Sequence, residues 1–313
     1  IPYINLEMFV TLKEQNTDAV EQGTDAWFKK RKHKMTGSKP SSIMFECKDE
    51  ASYFKMWDKV FGEAPPEKFD DKQRAAMDWG SNMEDPACEQ FYKTMPGTIV
   101  YETSIIDHPT YDWIAASPDG YIVRIETNED GSAKRPFNVI ERAAFEIKCP
   151  GSHLRDNEGK PMPLAMAKNL MKKKNPPYYY ITQVHFEMIA LGTPITYFYM
   201  WTPWYSKVWK IHFDHSYWEE TMAVLSAFRH KEVPWNVLES KINAWKNTSQ
   251  AIARQYTPIH EWKHAPSEDS FVEKKNEIVQ TFKNMPETKL ITHSWYSQEE
   301  KNILKTLFPK MHE

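Results

Sequence analysis

The chain has 313 residues, enough for one large domain or for a core domain carrying an appendage. Hydrophobic residues make up 41% and charged residues 27%, a balance that excludes a disordered chain. The most apolar stretch, 189–201, is broken by Gly192, Thr193 and Pro194 and is too short to span a bilayer. A formal net charge of −3 does not exclude nucleic-acid binding, because a local basic patch on a near-neutral chain serves as well as an overall positive balance. Two such patches occur, Lys29-Lys30-Arg31-Lys32-His33-Lys34 and Lys172-Lys173-Lys174, and either one alone reads as a solvated helix face or loop. The cysteines Cys47, Cys88 and Cys149 form an odd, widely spaced set, so free thiols in a reducing, intracellular setting are expected. The opening residues IPYINLEMFV lack a basic region followed by an apolar run, so no secretion is expected.

In chain order, residues 24–34 read as a short helix capped by Thr24, followed by a turn at 35–38. Ser38 is placed to cap a second short helix with Pro40 in its first turn. Residues 50–61 and 70–95 carry helical periodicity, the second over a long amphipathic span. The texture then changes. Residues 98–106, 111–117, 120–126 and 137–148 are rich in β-branched and aromatic types and are separated by turn signals, which predicts a strand meander. A polar, basic connection over 154–175 ends in Pro176-Pro177. It leads to a helix at 178–191, strands at 195–202 and 206–213, and a helix from about 215 to 230. The tail after 236 reads as mostly helical, with an irregular stretch near 256–268 and a Ser297-Gln298-Glu299-Glu300 capping box on its last helix. The expected fold is α/β (α+β): a central mixed sheet flanked by helices over residues 1–235, with a helical appendage over 236–313 packed on it.

Three pieces carry chemistry: Ser117-Pro118-Asp119-Gly120, Glu146-Ile147-Lys148-Cys149-Pro150, and Gln183 on the following helix. Glu146 and Lys148 are separated by one residue on a predicted strand, so both point to the same face. Such a pair suits phosphodiester hydrolysis: the carboxylate takes a hard cation, and the ammonium orients water and offsets developing charge. Asp119, in a tight turn between strands, would complete a metal site, with the Ile147 carbonyl as a further ligand. Taken singly, these fragments are ordinary, since Pro-Asp-Gly occurs in many turns and Glu-x-Lys on many strands. Together they place two charges at the end of the otherwise apolar run Ala143-Ala144-Phe145, where uncompensated charge is costly.

Five landmarks then resemble the YqaJ-type viral recombinases, the family that includes bacteriophage lambda exonuclease, within the PD-(D/E)xK nucleases. They are Trp27-Phe28-Lys29-Lys30-Arg31 with Thr36-Gly37-Ser38, the helix segment Trp79–Ala87, and the three pieces above, the last of them as Tyr180-Ile181-Thr182-Gln183-Val184. The likeness spans Trp27 to Trp209. It implies a restriction-endonuclease-like core and a Mg²⁺-dependent exonuclease that degrades one strand of duplex DNA from a 5′ end. One or two ions would serve, with Mn²⁺ as a substitute. By motif position Asp119, Glu146 and the Ile147 carbonyl would hold metal, and Lys148 would position the nucleophilic water. Glu84 would hold a metal-bound water or a second ion, and Gln183 would support the site. Arg31, Ser38 and Ser117 would grip the terminal 5′-phosphate, which suits a guanidinium fork and hydroxyl donors. A further basic residue is usual after the Glu-x-Lys-Cys-Pro motif; His153 and Arg155 stand nearest, and neither aligns cleanly.

The implied partners are double-stranded DNA ends and a single-strand annealing protein. A trimer is known in a relative, and homo-oligomerisation of this chain stays open. The alternatives are an endonuclease or a DNase/RNase of the alkaline-nuclease type on the same metal core, and an inactive DNA-end binder. The remaining features have plainer readings: Trp201, Trp204 and Trp209 should pack a sheet, His185 should pack or face solvent, and Cys149 should point to the face opposite Lys148.

Overall fold

The computed structural model describes Val20 and residues 24–65, 69–101, 103–129, 131, 134–136, 138–150 and 163–264. His153, Arg155, the last helix and its 297–300 capping box lie outside the described residues.

The amino-terminal helices form as their caps direct. Helix α1 (Asp25–Arg31) is capped by Thr24, whose hydroxyl accepts from Trp27 N at 3.3 Å. Helix α2 spans Lys39–Glu46, and α3 (Glu50–Phe61) opens with a reciprocal capping box between Asp49 and Ser52. The long α4 (Asp71–Thr94) has a matching box between Asp70 and Gln73. At α2 the structure corrects the expected cap. Ser38 adopts a helical backbone (φ −81°, ψ −21°) and its hydroxyl makes no capping bond. An N-cap side chain reaches the first turn from an extended backbone, and Ser38 is not extended.

Among the described residues nine strands form two mixed sheets. The small one has the order β1 (Met35–Thr36), β4 (Ile114–Ala116), β3 (Ile106–Asp107). The large one runs β2 (Thr98–Tyr101), β5 (Gly120–Ile125), β6 (Val139–Lys148), β7 (Ile195–Trp201), β8 (Tyr205–His212), β9 (His260–Lys263). Within it only β6 and β7 run parallel. Parallel neighbours need a crossover connection, and the chain between them carries α5 (Pro163–Lys172) and α6 (Ile181–Leu191). A 3₁₀ turn at Tyr178–Tyr180 leads into α6, and Gly192 in the left-handed region (φ 63°) ends it. Helices α7 (His215–His230) and α8 (Trp235–Ala253) follow.

The mixed α/β class is as expected from sequence, but strand partnership differs in three places. The run 98–106 divides after Tyr101 because Ser104 turns to bond both the N–H and the C=O of Val20. Segment 111–117 shortens to β4 and joins the small sheet, and the expected turn at 35–38 contributes β1 beside it in parallel. Third, the stretch expected to be irregular near 256–268 contains β9, an edge strand on β8.

The large sheet is buried on both faces. Ala143, Phe145 and Ile147 of β6 pack with Met83, Ala87 and Phe91 of α4, the Phe91 and Phe145 rings lying 4.5 Å apart. Ala144 belongs to the opposite core, with Ile181, Val184 and Met188 of α6 and with Leu225 of α7. Leu238, Ile242 and Trp245 of α8 lie in that same core, and the Trp245 indole donates to Thr221 Oγ1 at 2.9 Å. No helix among the described residues is long and apolar enough to cross a membrane.

Candidate active site

Alternation along β6 sends residues 143, 145 and 147 toward α4, and residues 144, 146 and 148 toward α6. Glu146 therefore meets α6, where Gln183 Nε2 donates to its Oε1. The Lys148 ammonium donates to the same oxygen. Glu146 is 1% exposed, and its Oε2 has no hydrogen-bond partner among the described residues. A buried carboxylate oxygen left open is costly unless a cation or a proton meets it.

Asp119 occupies the turn between β4 and β5. Its Oδ2 accepts from Ile147 N at 2.7 Å, tying the turn to β6. In an extended strand the N–H and C=O of one residue point to the same side, so the Ile147 carbonyl is also directed toward Asp119. Gly120, the next residue, packs tightly against β2. A Cβ there would lie 2.9 Å from Val100 Cγ1 and 3.1 Å from the Tyr101 carbonyl oxygen.

The acids perturb one another. Burial pushes the Asp119 carboxyl well above the usual range, and Glu146 adds to this against the opposing Lys148. Glu84, on α4, is raised to about 7, first by burial and then by Glu146 and Asp85, with Lys148 opposing. For Lys148 burial works against the charged form, but Glu146 and Asp119 outweigh it and hold the ammonium well above the ordinary lysine range. The same ammonium lies 5.4 Å from the Tyr180 ring centroid. Clustered acids, an open carboxylate oxygen and an adjacent backbone carbonyl suit a hard divalent cation. Among the described residues no three His, Cys, Asp or Glu side chains are gathered to hold an ion by themselves. A bound cation would therefore complete its shell with carbonyl and water oxygens, as Mg²⁺ commonly does.

Sequence reasoning missed Glu187. It lies one helical turn after Gln183, is 1% exposed, and neither carboxyl oxygen has a hydrogen-bond partner among the described residues. Burial, and then Glu146, raise its proton affinity. The two side chains meet carboxyl to carboxyl, a contact that becomes a hydrogen bond only when one of them holds a proton. The signal was available as Gln-x-x-x-Glu, a spacing that puts both residues on one face of a largely apolar helix.

The second group of predicted residues lies next door. The Arg31 guanidinium stacks 4.1 Å from the Trp27 ring centroid and donates to Thr36 Oγ1 at 2.8 Å. Burial lowers its pKa to about 10, so it stays cationic near neutrality. Trp27 Nε1 in turn donates to Ser117 Oγ at 3.3 Å, linking Arg31 to the chain that enters the Asp119 turn. The exposed Ser38 reaches the same neighbourhood through Gly37. A Cβ on Gly37 would sit 3.3 Å from Gln183 Cγ and 3.7 Å from Phe186 Cβ, so the 36–38 turn rests directly on α6. Gln183 thus touches both groups, one through Glu146 and one through Gly37.

Other predicted features serve packing. His185 is buried, its Nδ1 bonded to the Ile181 carbonyl and its Nε2 accepting from Asp214 N. Trp201, Trp204 and Trp209 are buried in the sheet layer. The Cys149 thiol donates to the Met83 carbonyl on the α4 side. The backbone of the 172–174 run is anchored, with Lys207 Nζ donating to the Lys173 carbonyl at 2.6 Å and Trp209 Nε1 to that of Lys174 at 3.3 Å. Its lysine side chains are exposed.

Residues 26–193, more than half of the chain, match the model of the YqaJ-like viral recombinase domain. The chain belongs to the YqaJ-like viral recombinase domain family. Two crystal structures of LHK-Exo, one described as an alkaline exonuclease from Laribacter hongkongensis and the other as a complex with dAMP, are similar to it at 23% identity. Each similarity covers 74% of this chain and 100% of that chain, with TM-scores of 0.45 and 0.46 respectively. No curated protein matches the chain.

Proposed function

We propose that the protein is a Mg²⁺-dependent 5′–3′ exodeoxyribonuclease that degrades one strand of duplex DNA from a 5′-phosphorylated end. The observation that carries this reading is the arrangement at Glu146: Lys148 and Gln183 both donate to one oxygen, the other is open, and Asp119 is tied to the intervening residue Ile147. Asp119, Glu146 and the Ile147 carbonyl would hold the cation, with Glu84 acting through water or on a second ion. When bound, the cation supplies Lewis acidity at the scissile phosphate and lowers the pKa of a water. Gln183 and Lys148 hold the Glu146 carboxylate in one orientation. Lys148, cationic and half-buried, orients the attacking water and offsets charge on the phosphorane. Arg31, Ser38 and Ser117 take the terminal phosphate. Arg31 suits that task because its guanidinium is already oriented by the Trp27 ring and the Thr36 hydroxyl.

The test uses linear duplex DNA with 5′-phosphate or 5′-hydroxyl ends, with and without Mg²⁺, on the wild type and on Glu146→Ala, Lys148→Ala and Arg31→Ala. Mononucleotides should appear from the phosphorylated substrate only with metal, and almost none from the first two variants. Arg31→Ala should lose the phosphate preference and keep slow cleavage. Equal cutting of closed circular DNA would replace this reading with an endonuclease.

A further inference from the structure

Away from the acids, a cavity of about 560 Å³ opens between the turn after α1, helix α3, the start of β4 and the end of α7. Its walls are aromatic rings that carry cations. The Arg229 guanidinium lies 5.1 Å from the centroids of both Phe61 and Trp113, and the Lys231 ammonium lies 3.5 Å from that of Trp57. Neither cation has a carboxylate partner among the described residues, whereas Lys32 and Lys34 at the rim are paired with Glu63 and Asp107. One acid, the exposed Asp112, shares the lining. Both non-glycine residues with positive φ among the described residues, His33 (φ 59°) and Lys231 (φ 56°), also line this cavity. Backbone outliers of this kind gather where a structure clamps a ligand.

Two cations that no carboxylate pairs among the described residues, held beside rings, form a site for an anion with an apolar part. We propose that this cavity binds a single strand of DNA, with Arg229 and Lys231 taking phosphates and the surrounding rings taking the base or sugar. This rests on the nuclease reading for its choice of polyanion. The volume suits a ligand of nucleotide size, and a basic groove with aromatic walls is how single strands are held without sequence preference. The connection to the acids runs along β4. Trp113 precedes that strand and Asp119 lies just beyond it, an extended span of at most about 20 Å. At about 3.4 Å per nucleotide that is roughly six nucleotides, so one strand can occupy both places.

The experiment measures binding of a fluorescein-labelled 12-nucleotide single strand to the full chain by anisotropy, in chelator and across a salt series. The proteins are the wild type, Lys231→Gln, Arg229→Gln with Lys231→Gln, and Lys246→Gln, a lysine stacked on Phe45 outside the cavity. Each lost phosphate contact should lower the slope of log affinity against log salt by about 0.7. The double variant should therefore lose about 1.4 in slope and bind roughly tenfold more weakly at low salt. Lys231→Gln, at an exposed helix end, should lose about half of that slope, and Lys246→Gln nothing. Unchanged slope and affinity in Lys231→Gln and in the double variant overturn the proposal. So does a result in which competition by deoxyadenosine monophosphate changes while strand binding does not, since the cavity would then hold free nucleotide. Because no divalent cation is present, strand binding is read independently of cleavage. A protein that cleaves nothing yet shows the slope change would fail as a nuclease and keep this site.

Discussion

Replacing Glu84 by glutamine should flatten the pH dependence of stability in the metal-free protein. Burial, together with Glu146 and Asp85, raises the Glu84 carboxyl from its ordinary 4.5 to about 7. The folded state thus binds that proton roughly 300-fold more tightly than the unfolded chain, a difference worth about 3 kcal/mol. Below pH 4.5 both states hold the proton and Glu84 costs nothing. As pH rises toward 7 the unfolded chain releases it first, so stability falls, and above 7 the whole cost is present. Roughly 2.5 kcal/mol of it should be lost between pH 5 and pH 8. Urea unfolding in chelator at those two pH values, for the wild type and Glu84→Gln, reads this difference together with the relief that removing the Glu84 charge gives Asp119. The wild type should lose about that much more than the variant. Parallel losses in the two proteins would refute the claim that Glu84 belongs to a buried acid cluster.

Glu187→Gln should stabilise the metal-free protein at pH 8, where it removes a buried acid whose oxygens lack hydrogen-bond partners among the described residues. The same change should weaken Mg²⁺ binding about tenfold in calorimetric titration; higher stability with unaltered binding would leave Glu187 without a part in the cation site. Gly120→Ala forces a methyl group to 2.9 Å from Val100 Cγ1 and 3.1 Å from a backbone oxygen. Overpacking of this kind costs about 1–3 kcal/mol, and each kcal/mol should lower the melting temperature by roughly 2–4 °C. An unchanged melting curve would contradict the packing described. Gly37→Ala presses on Gln183 Cγ. It should cut kcat about tenfold or more while leaving the melting temperature nearly unchanged, and full activity would show that Gln183 tolerates displacement.

Much of this protein was legible in its sequence because the relevant signals are local. The Thr24 cap placed α1, and helical periodicity placed α3 and α4. Strand alternation by itself puts Glu146 and Lys148 on one face. Tertiary structure decided what lies across from what. A run of apolar residues does not state its partner, so only the folded chain showed that β4 leaves the large sheet for a small one and that His260–Lys263 closes its edge. The same holds for the site: Glu187 joins the acids because α6 lies over the end of β6, and the Thr36–Ser38 turn reaches Gln183 because residue 37 has no side chain to keep it away. Covalent neighbours set conformation and facing along each element. Burial, and the electrostatics that follow from it, belong to surfaces that meet only when the chain is folded.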